Sequence, residues 1–310
     1  MRETGAVVVR AFAKINLALA IGPRRSDGYH DLVTLFQSVD LGDELSIEPA
    51  DQLELLLAEG EAPAGLDNLV LRAALGLREA AGIAGRGARI VLSKRIPVGG
   101  GLGGGSSDAA AALLGLDRLW RTRLAREDLF ELARGLGSDV PFFLLGGTAI
   151  GFGRGEKLLP APELPERSVV LLHPGIAVST PAAFTALDAA RGAGPPGSSR
   201  AAGLEPSSDD RWRWPLLWDW TEGGLAGCAN DFEEVVFAAH PGIGELKHRL
   251  AAAGAEHALL SGSGATVYGL FASAASAERV AAGVVAGTPG VWVRVCRTLD
   301  RGRLQRERFA

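Results

Sequence analysis

Cysteine is scarce in this chain of 310 residues, which contains only Cys228 and Cys296. Two cysteines cannot form a framework of disulfide bonds, so the fold must depend on apolar packing and hydrogen bonds. We expect both thiols to act as small apolar groups, and the scarcity is typical of a protein in a reducing cytoplasm. The chain is long enough for two domains with separate cores.

Clustered positive charge and long apolar runs are also missing. The formal net charge is −4 at pH 7, and the 32 Lys and Arg residues form no dense run, which argues against a nucleic-acid partner. No stretch approaches the roughly 18 apolar residues of a membrane span. Lys14 and Asn16 interrupt the apolar segment 11–21, which lacks the cleavage site of a secretion signal. We therefore expect a cytoplasmic protein without nucleic-acid or membrane partners.

Glycine is abundant, and six glycines occur within the eleven residues 97–107. A loop without side chains lets the backbone approach a bulky anion and direct several N–H groups at it. The preceding segment 88–94 is apolar and β-branched and predicts a strand, and segment 108–120 predicts a helix with Ser106 or Ser107 as its N-cap. Because the N-terminus of a helix favours phosphate, the pattern predicts a polyphosphate site.

Other classes of glycine loop do not fit as well. The spacing Gly99-x-Gly101-x-x-Gly104 matches a dinucleotide fingerprint, but that fold needs a second strand where segment 124–134 predicts a helix. A Walker A loop has Lys before its Ser or Thr, whereas Ser106 follows the last glycine directly. The His-Arg-Asp and Asp-Phe-Gly motifs of protein kinases are missing. A glycine turn without a ligand is the remaining alternative.

The glycine loop resembles the phosphate loop of the GHMP kinases, the superfamily of galactokinase, homoserine kinase and mevalonate kinase. Segments 11–17, 27–32, 137–142 and 260–265 resemble further family motifs and occur in the family order, so that the likeness extends to about residue 271. Within the superfamily they resemble the branch that phosphorylates the 2-hydroxyl of a methylerythritol carrying cytidine diphosphate. That reaction belongs to the non-mevalonate route to isoprenoid precursors.

The resemblance implies an α+β, two-domain GHMP kinase fold with the active site between the domains. We expect an N-terminal domain over 1–163 that carries the glycine loop, and a C-terminal α+β domain over 164–310 that completes the acceptor site. The likeness does not explain segment 191–210, which is rich in Gly, Pro, Ser and Ala and predicts a mobile insertion. Four tryptophans follow between 212 and 220, and we expect them to anchor a loop to the domain.

The resemblance implies that Lys14 and Asp139 are catalytic. Asp139 would orient the acceptor hydroxyl and take its proton late, while Lys14 would keep Asp139 ionised and offset charge on the phosphoryl group. Strand alternation places Lys14 and Asn16 on the same face. We expect Asp139 in a loop after helix 124–136, with Pro141 stopping the next helix. A solvated lysine and a helix cap are the alternative roles.

The resemblance also assigns residues to two small-molecule substrates. For the acceptor they are Asn16, Tyr29, His30, Thr180 and Phe184, with Tyr29 and Phe184 on opposite faces of the cytosine and His30 at its edge. Residues 261–264 would close around substrate or phosphate, or would simply form a turn before a strand. For ATP the residues are Pro97, Val98, Gly99, Gly100, Gly101, Leu102, Gly103, Gly104, Gly105, Ser106, Ser107, Asn68 and Lys94.

Several features stay open at this point. Asn68 and Lys94 would lie near the adenine, but could equally be a helix cap and a charge at the end of a strand. Mg²⁺ is expected with ATP, although the sequence shows no assignable ligands, and it does not indicate an oligomeric state. The alternatives for function are another small-alcohol GHMP kinase, of the homoserine or mevalonate type, and a non-catalytic nucleotide-binding regulator on the same fold.

Overall fold

A computed structural model describes residues 5–192, 224–225 and 227–309. The four tryptophans lie outside these residues, as does the predicted insertion except for its first two residues. The strands are β1 (Val7–Arg24), β2 (His30–Ala50), β3 (Leu53–Glu59), β4 (Gly87–Ser93), β5 (Thr148–Gly153), β6 (Lys157–Pro160), β7 (Ser168–His173), β8 (His257–Leu260), β9 (Val267–Phe271) and β10 (Trp292–Arg297). The helices are α1 (Leu69–Ala80), α2 (Gly104–Trp120), α3 (Arg126–Leu136), α4 (Val140–Leu145), α5 (Thr180–Gly192), α6 (Phe232–Ala239), α7 (Pro241–Ala252), α8 (Ala274–Gly287) and α9 (Arg301–Glu307). None of these helices is long and apolar enough to cross a membrane.

The first sheet is built around the long strand β2. Strand β1 pairs with β2 along its length, while β4 and β5 pair with different parts of β2, and β3 and β6 form the outer strands. The sequence predicts two strands in the β1 region, 6–11 and 15–20, but the structure has one strand whose pairing shifts register after Phe12 and after Asn16. These irregularities re-aim side chains without ending the strand, so Lys14 and Asn16 remain in the sheet.

The second sheet is antiparallel, in the order β10-β7-β9-β8. The strands predicted over 168–173, 265–271 and 291–296 are all present, with ends that move by at most two residues. Buried apolar side chains of this sheet pack against α5, α6, α7 and α8. A second buried cluster joins β1 and β2 to β7 and β9, so the two sheets share part of their core.

Two predicted helix ends are wrong, for backbone reasons. Helix α2 begins at Gly104, and its N-cap is Gly103 with φ 71° and no side-chain capping bond, so neither predicted serine is the cap. Glycine adopts this left-handed φ without strain, so the chain enters the helix without a capping side chain. Pro141 lies in the first turn of α4 and begins that helix instead of stopping it. Proline is tolerated there because the missing N–H would have no helical partner.

Two sets of contacts concern the predicted insertion and the predicted division into domains. Arg191 belongs to α5 and donates hydrogen bonds to Ile21 O and to Asp231 Oδ2, both at 2.8 Å, so the first residue of the predicted insertion is held by the fold. Helix α9 returns to the first sheet, where Leu304 packs with Phe12. The chain passes from the first sheet to the second between residues 160 and 168, and the division into domains at 163 stays a prediction.

Candidate active site

A cleft of about 910 Å³ lies where the first sheet, the glycine loop and α5 meet. All the residues predicted for catalysis and for the acceptor line it, namely Lys14, Asp139, Asn16, Tyr29, His30, Thr180 and Phe184. The predicted ATP residues that line it are Asn68, Lys94, Pro97, Val98, Gly99, Gly100, Gly101, Gly103, Gly104, Gly105 and Ser106. Motifs far apart in sequence are therefore brought to one cavity.

Leu102 and Ser107 are the two members of the predicted loop that do not line the cleft. Leu102 is 1% exposed and packs in the core shared by the sheets. Ser107 is 2% exposed, its N–H donates to Gly103 O, and its hydroxyl donates to Phe12 O. The side chains of Leu102 and Ser107 therefore hold the loop to the protein, and a contact of either residue with ATP through its backbone stays a prediction.

The second sheet holds the glycine loop through the turn at residues 261–264. The Ser261 hydroxyl donates to Gly101 O at 2.9 Å, and the Thr266 N–H donates to Gly100 O at 3.2 Å. A methyl group at Gly101 would lie 2.0 Å from Ser261 O, so glycine is required for this close approach. The turn therefore supports the loop directly, while Gly262 and Ser263 face the cleft.

Lys14 lines the cleft and is 3% exposed. Its Nζ donates to Asn16 Oδ1 at 2.7 Å and lies 3.5 Å from Asp139 Oδ2, which confirms that Lys14 and Asn16 share a face. The Asn16 amide in turn donates to Thr34 Oγ1 at 2.8 Å. A methyl group at Gly103 would lie 3.3 Å from Lys14 Cε, so the ammonium-bearing chain is adjacent to the glycine loop.

Asp139 occupies the N-cap position of α4, but its side chain makes no capping hydrogen bond. The carboxylate is about one-third exposed and is turned toward Lys14, so the alternative role as a helix cap is wrong. Burial lowers the pKa of Lys14, and the charge of Asp139 acts in the opposite direction. A poorly hydrated ammonium beside a solvent-accessible carboxylate can attract an anion while leaving the carboxylate open to a hydroxyl group.

Lys94 belongs to a buried charged cluster beneath the loop that sequence reasoning missed. Lys94 directly follows β4, as the strand-end alternative expects, and its buried ammonium is hydrogen-bonded to Asp43 and, at 2.7 Å, to Asp108 Oδ2. Burial raises the pKa of Asp108 to about 8 against the opposing charge of Lys94. A protonated Asp108 leaves one ammonium with one carboxylate, which balances the charge of the cluster.

Asn68 is confirmed as the cap of α1. Its Oδ1 accepts a hydrogen bond from the Val70 N–H at 2.9 Å, and its Nδ2 donates to Pro63 O at 3.0 Å. The residue is 6% exposed and still lines the cleft. The capping role and the predicted contact with a nucleotide are compatible, because Asn68 both caps α1 and lines the cleft.

Each aromatic ring predicted to bind the base already has one neighbour in the structure. Phe184 stacks on His30, with ring centroids 4.7 Å apart, and no ring contact joins Phe184 to Tyr29 among the described residues. Tyr29 is 54% exposed, and one of its faces is covered by the Arg154 guanidinium, whose central carbon is 4.9 Å from the ring centroid. A base between Tyr29 and Phe184 would keep the two rings apart, so the aromatic clamp stays a prediction.

Asp188, near these rings, was missed by sequence reasoning. Asp188 Oδ1 lies 2.8 Å from His30 Nε2 and so fixes the orientation of the imidazole. The partnership joins α5 to β2, and spacing along the chain gives no signal for it. The Thr180 hydroxyl lies 2.7 Å from Ser263 Oγ, which links α5 to the turn that supports the loop.

The described residues do not provide a prebuilt magnesium site. They contain no group of three or more His, Cys, Asp or Glu side chains that could hold a metal ion. Next to the loop, the carboxylates of Asp43 and Asp108 are engaged with Lys94. Mg²⁺ commonly binds through phosphates, waters and one or two carboxylates, so a nucleotide would have to supply most of its ligands.

Family comparisons match both halves of the cleft. The family described as "GHMP kinases N terminal domain" matches residues 68–147, which include the glycine loop and Asp139. The family described as "GHMP kinases C terminal" matches residues 219–287, which include the turn that supports the loop. The fold is that of the GHMP kinases.

Comparisons with individual proteins identify the branch of the GHMP kinases to which the chain belongs. A 4-diphosphocytidyl-2-C-methyl-D-erythritol kinase of Solibacter usitatus is 45% identical over 87% of this chain and 83% of its own length. A crystal structure of 4-(cytidine 5′-diphospho)-2C-methyl-D-erythritol kinase is 38% identical, with a TM-score of 0.74 over 93% of this chain and 98% of its own. A homoserine kinase from Cytophaga hutchinsonii has a TM-score of 0.71 over 97% of this chain and 96% of its own, but at 20% identity it shows only the fold. This chain belongs to the 4-diphosphocytidyl-2-C-methyl-D-erythritol kinase family.

Proposed function

We propose that this protein transfers the γ-phosphoryl group of ATP to the 2-hydroxyl of 4-(cytidine 5′-diphospho)-2-C-methyl-D-erythritol, with ADP as the second product. The observation that carries the proposal is the position of Lys14, whose Nζ lies 3.5 Å from Asp139 while its side chain adjoins Gly103 of the glycine loop. A group that can take a proton and a group that can offset phosphoryl charge therefore meet next to a predicted phosphate site. The names of the relatives supply the acceptor.

In this proposal the glycine loop binds the ATP phosphates through its backbone N–H groups and the N-terminus of α2. The carbonyl groups of Gly100 and Gly101 are already engaged by the second sheet, which holds the loop in place before ATP arrives. Such preorganisation lowers the cost of aligning the γ-phosphoryl group with the acceptor. Mg²⁺ stays an expectation for the bound nucleotide.

Asp139 and Lys14 would have different roles in phosphoryl transfer. A carboxylate is too weak a base to deprotonate an alcohol before reaction, so Asp139 would orient the hydroxyl and accept its proton as phosphoryl transfer proceeds. Lys14 would hold Asp139 in its ionised form and stabilise negative charge on the moving group. Asn16 accepts one Lys14 hydrogen bond and would keep the ammonium directed at both partners.

The acceptor would bind on the opposite side of the cleft. The open face of Tyr29 can receive a base by stacking, while His30 and nearby backbone groups can contact its edge. Phe184 would form the second aromatic surface after a change in its contact with His30. A cytoplasmic location and the lack of nucleic-acid and membrane partners remain predictions.

The test is a coupled assay of ADP release with three acceptors: the cytidine substrate, homoserine and mevalonate. We expect turnover with the cytidine substrate and negligible turnover with the other two. Asp139→Asn is the matched control, because it should abolish most ADP release without unfolding the protein. Efficient turnover of homoserine or mevalonate would identify a different small-alcohol kinase. ATP binding without turnover of any of the three would favour a nucleotide-binding regulator.

A further inference from the structure

Two arginines that line the cleft form no ion pair with a carboxylate among the described residues, although Arg154 is close enough to Asp27 for its charge to help lower the pKa of that carboxyl group. The cleft is lined by four cationic side chains of Lys or Arg, and two of them, Lys14 and Lys94, are paired with carboxylates. The other two are Arg24 and Arg154, whose guanidinium groups form no ion pair within the described part of the chain. Positive charge that faces a cavity without a partner is available to an anionic ligand.

Both arginines lie beside Tyr29. The guanidinium of Arg154 covers one face of the Tyr29 ring at 4.9 Å from the centroid. Arg24 Nε donates to Gly28 O at 3.3 Å, on the turn that presents Tyr29. A nearby carboxylate, that of Glu156, accepts from the Arg154 backbone N–H at 2.7 Å and makes no bond to the guanidinium.

Arg154 also lies close to the predicted chemical centre. It stands between Gly153 and Gly155 at the end of β5, and a methyl group at Gly155 would be 3.9 Å from Asp139 Oδ1. A single segment thus runs from the aromatic ring predicted to bind the base to the carboxylate predicted to meet the hydroxyl. Arg154 is half-buried at this point, so its guanidinium is less hydrated than that of a fully exposed arginine.

An acceptor with a base at one end and an alcohol at the other must place its diphosphate between them. With the base on the open face of Tyr29 and the hydroxyl at Asp139, the diphosphate passes the position of Arg154. The planar guanidinium group donates paired hydrogen bonds that match phosphate oxygens. We propose that Arg154, assisted by Arg24, forms the diphosphate-binding subsite of the acceptor, an inference that rests on the proposed function.

This arrangement gives Arg154 two contacts at once. Its guanidinium stacks on the Tyr29 face turned away from the base, and its N–H groups bind phosphate oxygens at the guanidinium edge. The base, Tyr29 and Arg154 then form a three-layer stack in which phosphate binding stabilises the position of the ring. The charge of Arg154 explains a preference for a nucleoside diphosphate over the nucleoside. It does not explain how the base is recognised.

The experiment compares the binding of CDP and cytidine by isothermal titration, with saturating ADP present to fill the nucleotide site. Wild-type protein should bind CDP more tightly than cytidine. In Arg154→Gln this preference should fall by roughly 10- to 150-fold, as expected for losing charge-assisted hydrogen bonds. Arg24→Gln should lower it less, because Arg24 is more exposed. Arg154→Lys should lie between wild type and Arg154→Gln, since lysine keeps the charge without the paired donors.

Arg25→Gln is the matched control. Arg25 lies in the same turn and its loss changes the net charge equally, but it is paired with Asp27 and Asp31 and does not line the cleft. The control should keep the wild-type preference for CDP. A wild-type preference in Arg154→Gln, or an equal loss of CDP and cytidine binding, would overturn the inference and leave Arg154 as a support for Tyr29. Failure of the wild-type protein to bind either probe would overturn the proposed acceptor itself.

Discussion

Phe184 stacks on the imidazole of His30 with ring centroids 4.7 Å apart and ring planes inclined by 13°. The same helix that carries Phe184 also carries Asp188, which is hydrogen-bonded to His30 Nε2 at 2.8 Å. Two side chains of α5 therefore hold the imidazole, one at its face and one at its edge. A base that stacks on this face of Phe184 must take the place of the imidazole, whereas Tyr29 already has an accessible face.

The first prediction concerns the unequal roles of these rings. Tyr29→Ala should weaken CDP binding by roughly 1–3 kcal/mol, or about 5- to 150-fold, because it removes a stacking face. Phe184→Ala should weaken CDP binding less, because the Phe184 ring already stacks on His30 and would have to exchange that contact for the base. Isothermal titration with CDP measures both effects, and Tyr29→Phe is the control that keeps the ring. Unchanged CDP affinity in both alanine variants would contradict the aromatic binding of the base.

The second prediction concerns Asp139. Asp139→Asn keeps the shape of the side chain but removes the proton acceptor, so kcat should fall by roughly 10²- to 10⁴-fold with a much smaller change in KM. Asp128→Asn removes an exposed carboxylate from the neighbouring helix α3 and should leave kcat unchanged. Steady-state kinetics with both substrates near saturation separates the two cases. Near-normal turnover in Asp139→Asn would show that this carboxylate takes no part in the chemistry.

The third prediction concerns the glycine loop. A methyl group at Gly103 would lie 2.5 Å from Phe143 Cζ, so substitution there would disturb packing as well as ATP binding. Gly105 is a cleaner site, because it lines the cleft and the nearest atom to an added methyl group, Leu69 Cδ1, is 4.0 Å away. Gly105→Ala should weaken ATP binding by roughly tenfold, the equivalent of one charge-assisted bond to phosphate.

The control for the loop variant is Gly135→Ala in α3, where an added methyl group meets no atom within 4 Å. Both substitutions replace glycine in a helix and should stabilise the protein by roughly 0.5–1 kcal/mol. Only Gly105→Ala should change ATP affinity. A stabilised Gly105→Ala protein with wild-type ATP affinity would show that the phosphates of ATP do not bind at this glycine.

The fourth prediction concerns acid stability. Burial lowers the pKa of His257 to about 4, and its Nε2 lies 3.2 Å from Leu17 O, so the imidazole is neutral and donates at neutral pH. Because the folded pKa is below the unfolded value, this contribution to stability is present above pH 6.5 and is lost as the pH falls toward 4. Acidification from pH 7.5 to 5 should therefore cost about 2 kcal/mol through this residue.

The measurement is urea unfolding of wild type and His257→Gln at both pH values. Glutamine keeps a donor for Leu17 O but does not titrate, so the variant should lose about 2 kcal/mol less on acidification than wild type. His248→Gln, which replaces an exposed imidazole of α7, is the matched control and should behave like wild type. Equal acid sensitivity in His257→Gln and wild type would contradict the neutral, buried histidine.

Sequence reasoning succeeded where a feature depends on neighbouring residues. The strand over 88–94, the helix after the loop and the shared face of Lys14 and Asn16 follow from glycine content, periodicity and strand alternation, and the structure contains all three. It failed where two local signals competed. Serine is a good N-cap, yet Gly103 occupies the N-cap position of α2 because its left-handed φ fits the tight approach to the protein core.

Contacts between distant segments could not be predicted in this way. Asp188 and His30 are 158 positions apart, and the stacking of Phe184 on His30 depends on how α5 packs against β2. The ion pairs of Lys94 with Asp43 and Asp108 likewise require β2, β4 and α2 to meet in one core. Burial and hydrogen bonding of this kind have no periodic signature in one sequence.

By itself, the sequence determined the chemistry available to this protein: a side-chain-free loop suited to phosphate, a lysine, a carboxylate and aromatic rings suited to a base. Those properties belong to residue types and short spacings, because they depend on backbone freedom, charge and strand alternation within a few residues. Only the tertiary structure decided which groups are paired and which face the cleft without a partner. Desolvation and distance between remote segments set the pKa of Lys14, engage Phe184 with His30 and leave Arg24 and Arg154 facing the cavity.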